Sequence, residues 1–363
     1  MAHVAIIGGG PAGSVAGIAL ARGGVDVTLV EQAKFPREKV CGECVSALGI
    51  EVLERAGVAG RVRDEGAVRL GTVGVIPAEG PALVRRLPRE MWGVSRRVLD
   101  GVLLEAAREA GVRVRQPARC EGVGEGRVTC RDLVTNGVEE LSADWVVVAD
   151  GKGAGVGGGP PTGDLGVKAH FTGVRGPRDS IDLFGVEGHY VGLAPIEGER
   201  WNVAMNVPAA RVRQFAGDLE ALWGSLLGEN AELAERFSGA TRVGPWLASP
   251  LPRFGVARRW PAGVIPVGNA AAALEPIGGE GTGLAMRSAE LAAGAIVSAV
   301  RNERSVDVEG LRREYRQLWD VRRAACRGVA VALSRPGWAA GVVELARANE
   351  GLGRAVMGWM GKG

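Results

Sequence analysis

Lysine is nearly missing from this chain. Five lysines (34, 39, 152, 168 and 362) stand among 44 basic residues, so 39 arginines carry the positive charge. Anionic ligands are one explanation of that bias, and the base composition of the source genome is the simpler one. The formal net charge is only +3 and is spread along the chain, which leaves no nucleic-acid signature. Cysteine is sparse and odd in number, five in 363 residues, which does not fit a disulfide framework. Long apolar runs are missing as well. No stretch approaches the ~20 uninterrupted apolar residues of a membrane span, and the N-terminal run is too short for a signal peptide. The chain also lacks internal repeats and low-complexity linkers. What remains reads as a cytoplasmic protein with 46% hydrophobic and 23% charged residues, long enough for a large core and two structural regions. Glycine alone is in excess, at 58 residues without a collagen-like period, and points to many turns.

The first thirty-one residues organise the rest. Val4-Ala5-Ile6-Ile7 reads as a buried strand and runs straight into Gly8-Gly9-Gly10-Pro11-Ala12-Gly13, a G-x-G-x-x-G. A helix follows to Arg22, stopped by Gly23-Gly24, and a second strand, Val25 to Val30, ends in Glu31. Gly8 suits the tight turn, Gly10 the approach of a pyrophosphate, and Gly13 close helix–strand packing. The amides opening the helix face the phosphates. Glu31 lies 18 residues after Gly13, where an acid accepts from a ribose hydroxyl.

Past Glu31, a loop carries Arg37, which either reaches the pyrophosphate or is a solvated charge. Cys41-Gly-Glu-Cys44 is a C-x-x-C without a second matching pair for zinc, so a redox dithiol or two small packing residues are the readings, the latter favoured. Residues 50–58 read as a short helix, 61–87 as an inserted strand pair, and Ser95 opens an amphipathic helix stopped by Gly111. Residues 118–142 read as a meander with turns at Gly122–Gly126 and Asn136-Gly137. Trp145 to Val148 is a buried parallel strand that delivers Asp150-Gly151 to the carboxyl edge of the sheet. The glycine cluster Gly155–Gly159 reads as a loop. Residues 164–250 read as strands plus one helix, Phe215–Leu227. A strand over 264–267 then delivers Gly268-Asn269, and Pro276-Ile-Gly-Gly279-Glu-Gly281 opens a helix from Thr282 to about Val300. Its free amides suit the developing negative charge of a reduced flavin. From Val308 the chain reads as all helical, with arginine-rich faces and Trp319, Trp338 and Trp359; packing on the body is the default, peripheral membrane contact the alternative. His170 and His189 are the only central histidines, each a candidate base or a structural residue.

Together these motifs resemble the flavoprotein family of aromatic hydroxylases (group A flavin monooxygenases) and geranylgeranyl reductases, over about residues 1–300. The resemblance implies an α/β fold: a Rossmann-type FAD-binding domain, glutathione-reductase-like and PHBH-type, with an inserted mixed-sheet substrate domain and C-terminal helices. The FAD-binding part is expected at 1–60, 95–160 and 255–302, the substrate part at 61–94 and 161–254, and the helical region at 303–363. Cofactor contacts are expected from Gly8, Gly10, Pro11, Ala12, Gly13, Glu31 and Arg37. Arg96 of an R-x-x-L-D stretch ending at Asp100, and Asp150-Gly151, join them. So do Gly268, Asn269, Pro276, Gly279, Gly281 and Thr282. Asn269 replaces the family's aspartate, keeping a hydrogen bond to the ribityl chain but not the charge.

Lys39-Val-Cys41-Gly42 resembles the K-x-C-G stretch of geranylgeranyl reductases, whereas their Y-x-W-x-F-P signature survives only as Tyr190, Gly192, Ala194 and Pro195. The tryptophan motif of halogenases is missing. Two enzymatic expectations follow. One is an FAD-dependent monooxygenase that hydroxylates or epoxidises a hydrophobic aromatic or polyketide-like compound of secondary metabolism, using O2 and NAD(P)H as transient donor. The other is a reductase of isoprenoid or enone double bonds, with Cys41 or Tyr190 as candidate catalytic proton donor. A non-catalytic prenyl- or lipid-binding relative is the third reading, disfavoured by the intact P-x-x-G-x-G loop.

Overall fold

Five short parallel strands form the nucleotide side of the protein, in the order Val264–Pro266, Trp145–Val148, His3–Ile7, Asp26–Val30, Arg113–Arg115. The computed structural model describes residues 2–124, 126–151, 163–252, 254–257 and 260–361; the glycine cluster at 155–159 lies outside them. His3–Ile7 is central because its apolar side chains have two faces to fill. Val4 and Ile6 point into a core shared with the helices Pro11–Arg22, Arg96–Glu109 and Gly281–Arg301. Ala5 and Ile7 point the other way, onto the antiparallel meander Ala118–Gly124, Arg127–Asp132 and Val138–Ser142. That meander was legible at 118–142, and Asn136 takes the left-handed backbone (φ 65°) its N-G turn requires.

The second sheet has eight strands, in the order Thr241–Pro250, Leu165–Thr172, Trp201–Val207, His189–Pro195, Ser180–Val186, Val68–Ile76, Leu83–Gly93, Cys44–Val45. Ser180–Val186 pairs parallel with Val68–Ile76 and the other pairings are antiparallel, so the inserted sheet is mixed. One face is covered by an aromatic cluster of Phe171, Trp223, Phe237 and Trp246. The single helix expected at Phe215–Leu227 is instead Ala209–Gln214 and Leu219–Glu229, followed by Ala231–Arg236. Ala216 and Gly217 adopt positive φ and break the run, and the Asp218 side chain restarts it by accepting from the amides of Glu220 and Ala221. Likewise the helix expected at 50–58 is Ala47–Arg55, ended by Gly57 at φ 72°, and a further helix, Ala59–Asp64, follows.

Three helices, Val308–Leu333, Pro336–Ala348 and Glu350–Trp359, end the chain. The first packs on the body through Leu311, Tyr315, Trp319 and Cys326, whereas Trp338 and Trp359 are exposed. Among the described residues one helix, Gly281–Arg301, is long and apolar enough to cross a membrane, although Arg287 and Glu290 interrupt it. It lies against Pro11–Arg22 and Ala47–Arg55 as a core helix, with alanines at its contacts.

Candidate active site

The glycine turn shows directly why its residues are glycines. Gly8 sits at φ 104°, and a Cβ there would lie 2.6 Å from the carbonyl oxygen of Ala149. A Cβ on Gly13 would lie 1.8 Å from the Gly8 carbonyl oxygen, so the helix seats on the turn only without a side chain. Gly10 is different. A Cβ there would meet only guanidinium nitrogens, Arg37 at 3.4 Å and Arg96 at 3.6 Å. Two arginines thus converge on the mouth of the Pro11–Arg22 helix, where a pyrophosphate belongs.

Asp100 fixes that pair. Its carboxylate accepts from Arg96 Nε at 2.6 Å and Arg96 Nη2 at 2.7 Å, and lies 3.1 Å from Arg37 Nη2. Burial alone would weaken the charge on Arg96, but Asp100 and the Cys41 sulfur beside it hold the guanidinium above its ordinary pKa. Arg37 Nε is buried with no hydrogen-bond partner among the described residues, which leaves a donor free for an anion. Glu31, nearly fully buried, accepts from the Gly9 amide at 2.7 Å and the Ala33 amide at 2.6 Å, so its carboxylate is held by backbone.

The glycine turn opens on a cleft of about 1500 Å³, its open mouth included. The cleft brings together Gly10, Pro11, Ala12, Arg96, Gly151, Gly268, Asn269, Pro276, Gly279, Gly281 and Thr282 from the expected cofactor set, with Cys41 and Tyr190 from the expected catalytic pair. Gly8, Gly13 and Glu31 support the turn from behind, and Asp150 sits between the lining residues Ala149 and Gly151. Two helices, Pro11–Arg22 and Gly281–Arg301, point their N-termini at this cleft, and neither has a side-chain cap among the described residues. The glycine turn with its two arginines at one end and the amides after Gly279 at the other fit a dinucleotide with an anionic middle and an electron-accepting ring. The cradle fits FAD.

The opposite wall comes from the mixed sheet and is apolar: Ile181, Leu183, Gly192, Leu193, Ala194 and Leu251. Gly192 and Ala194 keep the side chains of this wall small. Tyr190 shows its ring to the cleft, but its hydroxyl donates to Glu275 at 3.0 Å. Burial and the adjacent Glu275 carboxylate push the phenol well above its ordinary pKa. Glu275 also accepts from Asn206 at 3.0 Å and from Arg327 at 3.2 Å. Its position just before Pro276 was the only sequence signal for it.

Cys41 and Cys44 differ in exposure. Cys44 is buried among Leu70, Leu87 and Met91, at the edge of the same cleft. Cys41 is half-buried in the cleft wall, where its sulfur contacts the Arg96 guanidinium, the Glu43 amide at 3.4 Å and the Thr282 hydroxyl at 3.8 Å. Asn202 fixes the loop by donating to the Cys41 carbonyl at 3.1 Å. Both cysteines thus lie beside the cleft, Cys41 the more exposed of the two.

Neither central histidine lines the cleft. His189 bonds the Glu187 carbonyl, and burial lowers it to about 4. His170 lies 2.6 Å from Glu43 within a buried charge cluster that sequence reasoning missed, because its members are far apart in the chain.

Residues 1–162 match the family model described as FAD binding domain. Over 335 residues the chain is 28% identical to a digeranylgeranylglycerophospholipid reductase of Methanopyrus kandleri, covering 87% of this chain and 82% of that one. The chain carries an FAD-binding domain and is similar to FAD-dependent oxidoreductases. Its N-terminal part is 32% identical over 160 residues to a menaquinone reductase of Mycolicibacterium smegmatis, an alignment over 41% of this chain and 37% of that protein's length. By fold, this flavoprotein is similar to the flavin-dependent brominase Bmp2, at TM-score 0.82 and 22% identity, over 99% of this chain and 94% of that one.

Proposed function

We propose that this flavoprotein reduces a carbon–carbon double bond in a hydrophobic, isoprenoid-like molecule. The observation that carries the reading is Cys41: a half-buried thiol in the cleft wall, in contact with Arg96 and Thr282 at the opening of the Gly281–Arg301 helix. Two relatives aligned over most of this chain are named as a digeranylgeranylglycerophospholipid reductase and a geranylgeranyl diphosphate reductase, and a third as a conditioned medium factor receptor.

In this reading Gly10, Arg37 and Arg96 hold the pyrophosphate of FAD, Glu31 the ribose, Asn269 the ribityl chain, and the amides after Gly279 the ring. Asp150-Gly151 completes the edge. The bound flavin, reduced by NAD(P)H, supplies a hydride. The chain supplies the rest. The apolar wall of Ile181, Leu183, Leu193, Ala194 and Leu251 excludes water and lays the double bond against the thiol. Cys41 Sγ–H gives its proton to the carbon that does not take the hydride, and the sulfur is left beside the Arg96 guanidinium and the Glu43 amide. Tyr190 shapes the wall while its proton stays with Glu275.

The test uses photoreduced protein under nitrogen with geranylgeranyl diphosphate or a menaquinone in D2O. The reading expects two deuteriums per reduced double bond, one from the exchanged flavin N5 position and one from the Cys41 thiol, and no saturated product from C41A that still binds FAD. Product labelled from 18O2, with no anaerobic reduction of either compound, would instead establish oxygen insertion and overturn it.

A further inference from the structure

Behind the cysteine loop lies a cluster that the reaction above leaves unused. Lys168 is 1% exposed, in the strand Leu165–Thr172. Its Nζ lies 2.6 Å from Glu43 Oε1, 2.8 Å from Glu38 Oε2 and 3.3 Å from His170 Nε2. His170 Nε2 is in turn 2.6 Å from Glu43 Oε2. The ligand atoms of Glu38, Glu43 and His170 all lie within 4.8 Å of one another, a donor set that would suit a divalent cation. The Lys168 ammonium occupies its middle. Burial alone would push the Glu43 carboxyl up; His170 and Lys168 reverse this and hold it below its ordinary value.

Glu43 connects this cluster to the cleft. It is fully buried and takes the left-handed backbone, φ 56°, which a side chain normally avoids. Its amide donates to Cys41 Sγ, its carbonyl accepts from Val94 at 2.9 Å, and its carboxylate accepts from the Arg96 amide at 2.9 Å. One residue therefore ties the cysteine loop to the start of the arginine helix.

We infer that Lys168 is a positioning residue, a built-in cation that stands where a metal ion would and locks Glu43, and through it Cys41 and Arg96, into the cleft wall. Without the ammonium, Glu38, Glu43 and His170 are two carboxylates and an imidazole facing one another, and the loop carrying Cys41 opens. The other charges around that loop are Lys39, Arg37, Arg96 and Asp100.

The experiment measures iodoacetamide alkylation of Cys41 at one fixed pH, by peptide mass spectrometry, against half-buried Cys120 in the same molecule. K168M is expected to raise the Cys41 to Cys120 ratio about fivefold or more, as expected for local opening. In K168A, Mn2+ is expected to bind at one ion per chain and restore the wild-type ratio, and K168A/H170A is expected to do neither. A folded K168M with an unchanged ratio, or equal Mn2+ binding by K168A and K168A/H170A, would overturn the inference. Should the Lys168 variants fail to fold, E38Q removes one partner of the ammonium at the exposed side of the cluster. It is expected to raise the ratio about twofold, and no rise in folded E38Q would overturn the inference equally. Neither readout depends on turnover, so failure here leaves the reductase reading intact, and failure of that reading leaves this one intact.

Discussion

Arg96 and Asp100, one helical turn apart, form a two-pronged ion pair with both members buried, and the same carboxylate takes Arg37 from a different loop. This geometry makes Asp100 the organiser of the two arginines beside the glycine turn without itself lining the cleft. Removing one partner of a buried pair costs about 3–5 kcal/mol, because the other charge is left uncompensated. D100N is therefore expected to weaken FAD binding by about tenfold or more and to lower the melting temperature. Equilibrium dialysis with FAD on folded D100N checks it, and unchanged affinity would show that the arginines hold their places unaided.

Gly13 gives a steric prediction. A methyl group there would meet the Gly8 carbonyl at 1.8 Å, which only backbone movement relieves. G13A is expected to lose stability by at least the roughly 1–3 kcal/mol of ordinary overpacking, and to lose FAD. G60A, where a Cβ within a helix meets nothing within 4 Å, is the control expected to melt no lower than wild type.

His189 gives a pH dependence. Its folded pKa is about 4, below the ordinary 6.5, so between these values the unfolded chain binds the extra proton and stability falls as the pH falls. The full difference is about 3 kcal/mol, reached near pH 4 and absent above about pH 6.5. H189Q is expected to flatten the urea-midpoint profile in that window. A slope unchanged by H189Q would assign the acid sensitivity to other groups.

The two candidate proton donors separate by simple substitutions. Y190F leaves Glu275 with Asn206 and Arg327 as donors, so turnover is expected to change by less than about threefold. Loss of turnover in Y190F, with C41A active, would reverse the assignment. A194F, at the wall position that is small in this chain, is expected to raise KM for bulky substrates and leave FAD affinity unchanged, as a series of prenyl chain lengths would show.

The nucleotide side was readable because each of its elements answers to local rules. The strand at residues 3–7, the glycine turn and the helix capped by Ser95 each lie within a short window of sequence. The cleft wall was less readable. The K-x-C-G stretch singles out Cys41 only by resemblance, and its partners Arg96, Thr282 and Asn202 arrive from three other segments. Lys168 and His170 alternate within a strand as ordinary inward-facing residues would, and only folding brings Glu43 against them. The break at Ala216-Gly217 was hidden because the apolar spacing of a helix persists on both sides of it.

The helix Val308–Leu333 reaches the chemistry from outside. Tyr315 donates to the Ser288 carbonyl at 2.9 Å, Cys326 fills the space beside Gly278 in the flavin loop, and Arg327 grips the Glu275 carboxylate that engages Tyr190. The tail is thus a tuning handle. Substitutions on this helix would act on Gly278, on Glu275 and through Glu275 on Tyr190, without changing a side chain that lines the cleft.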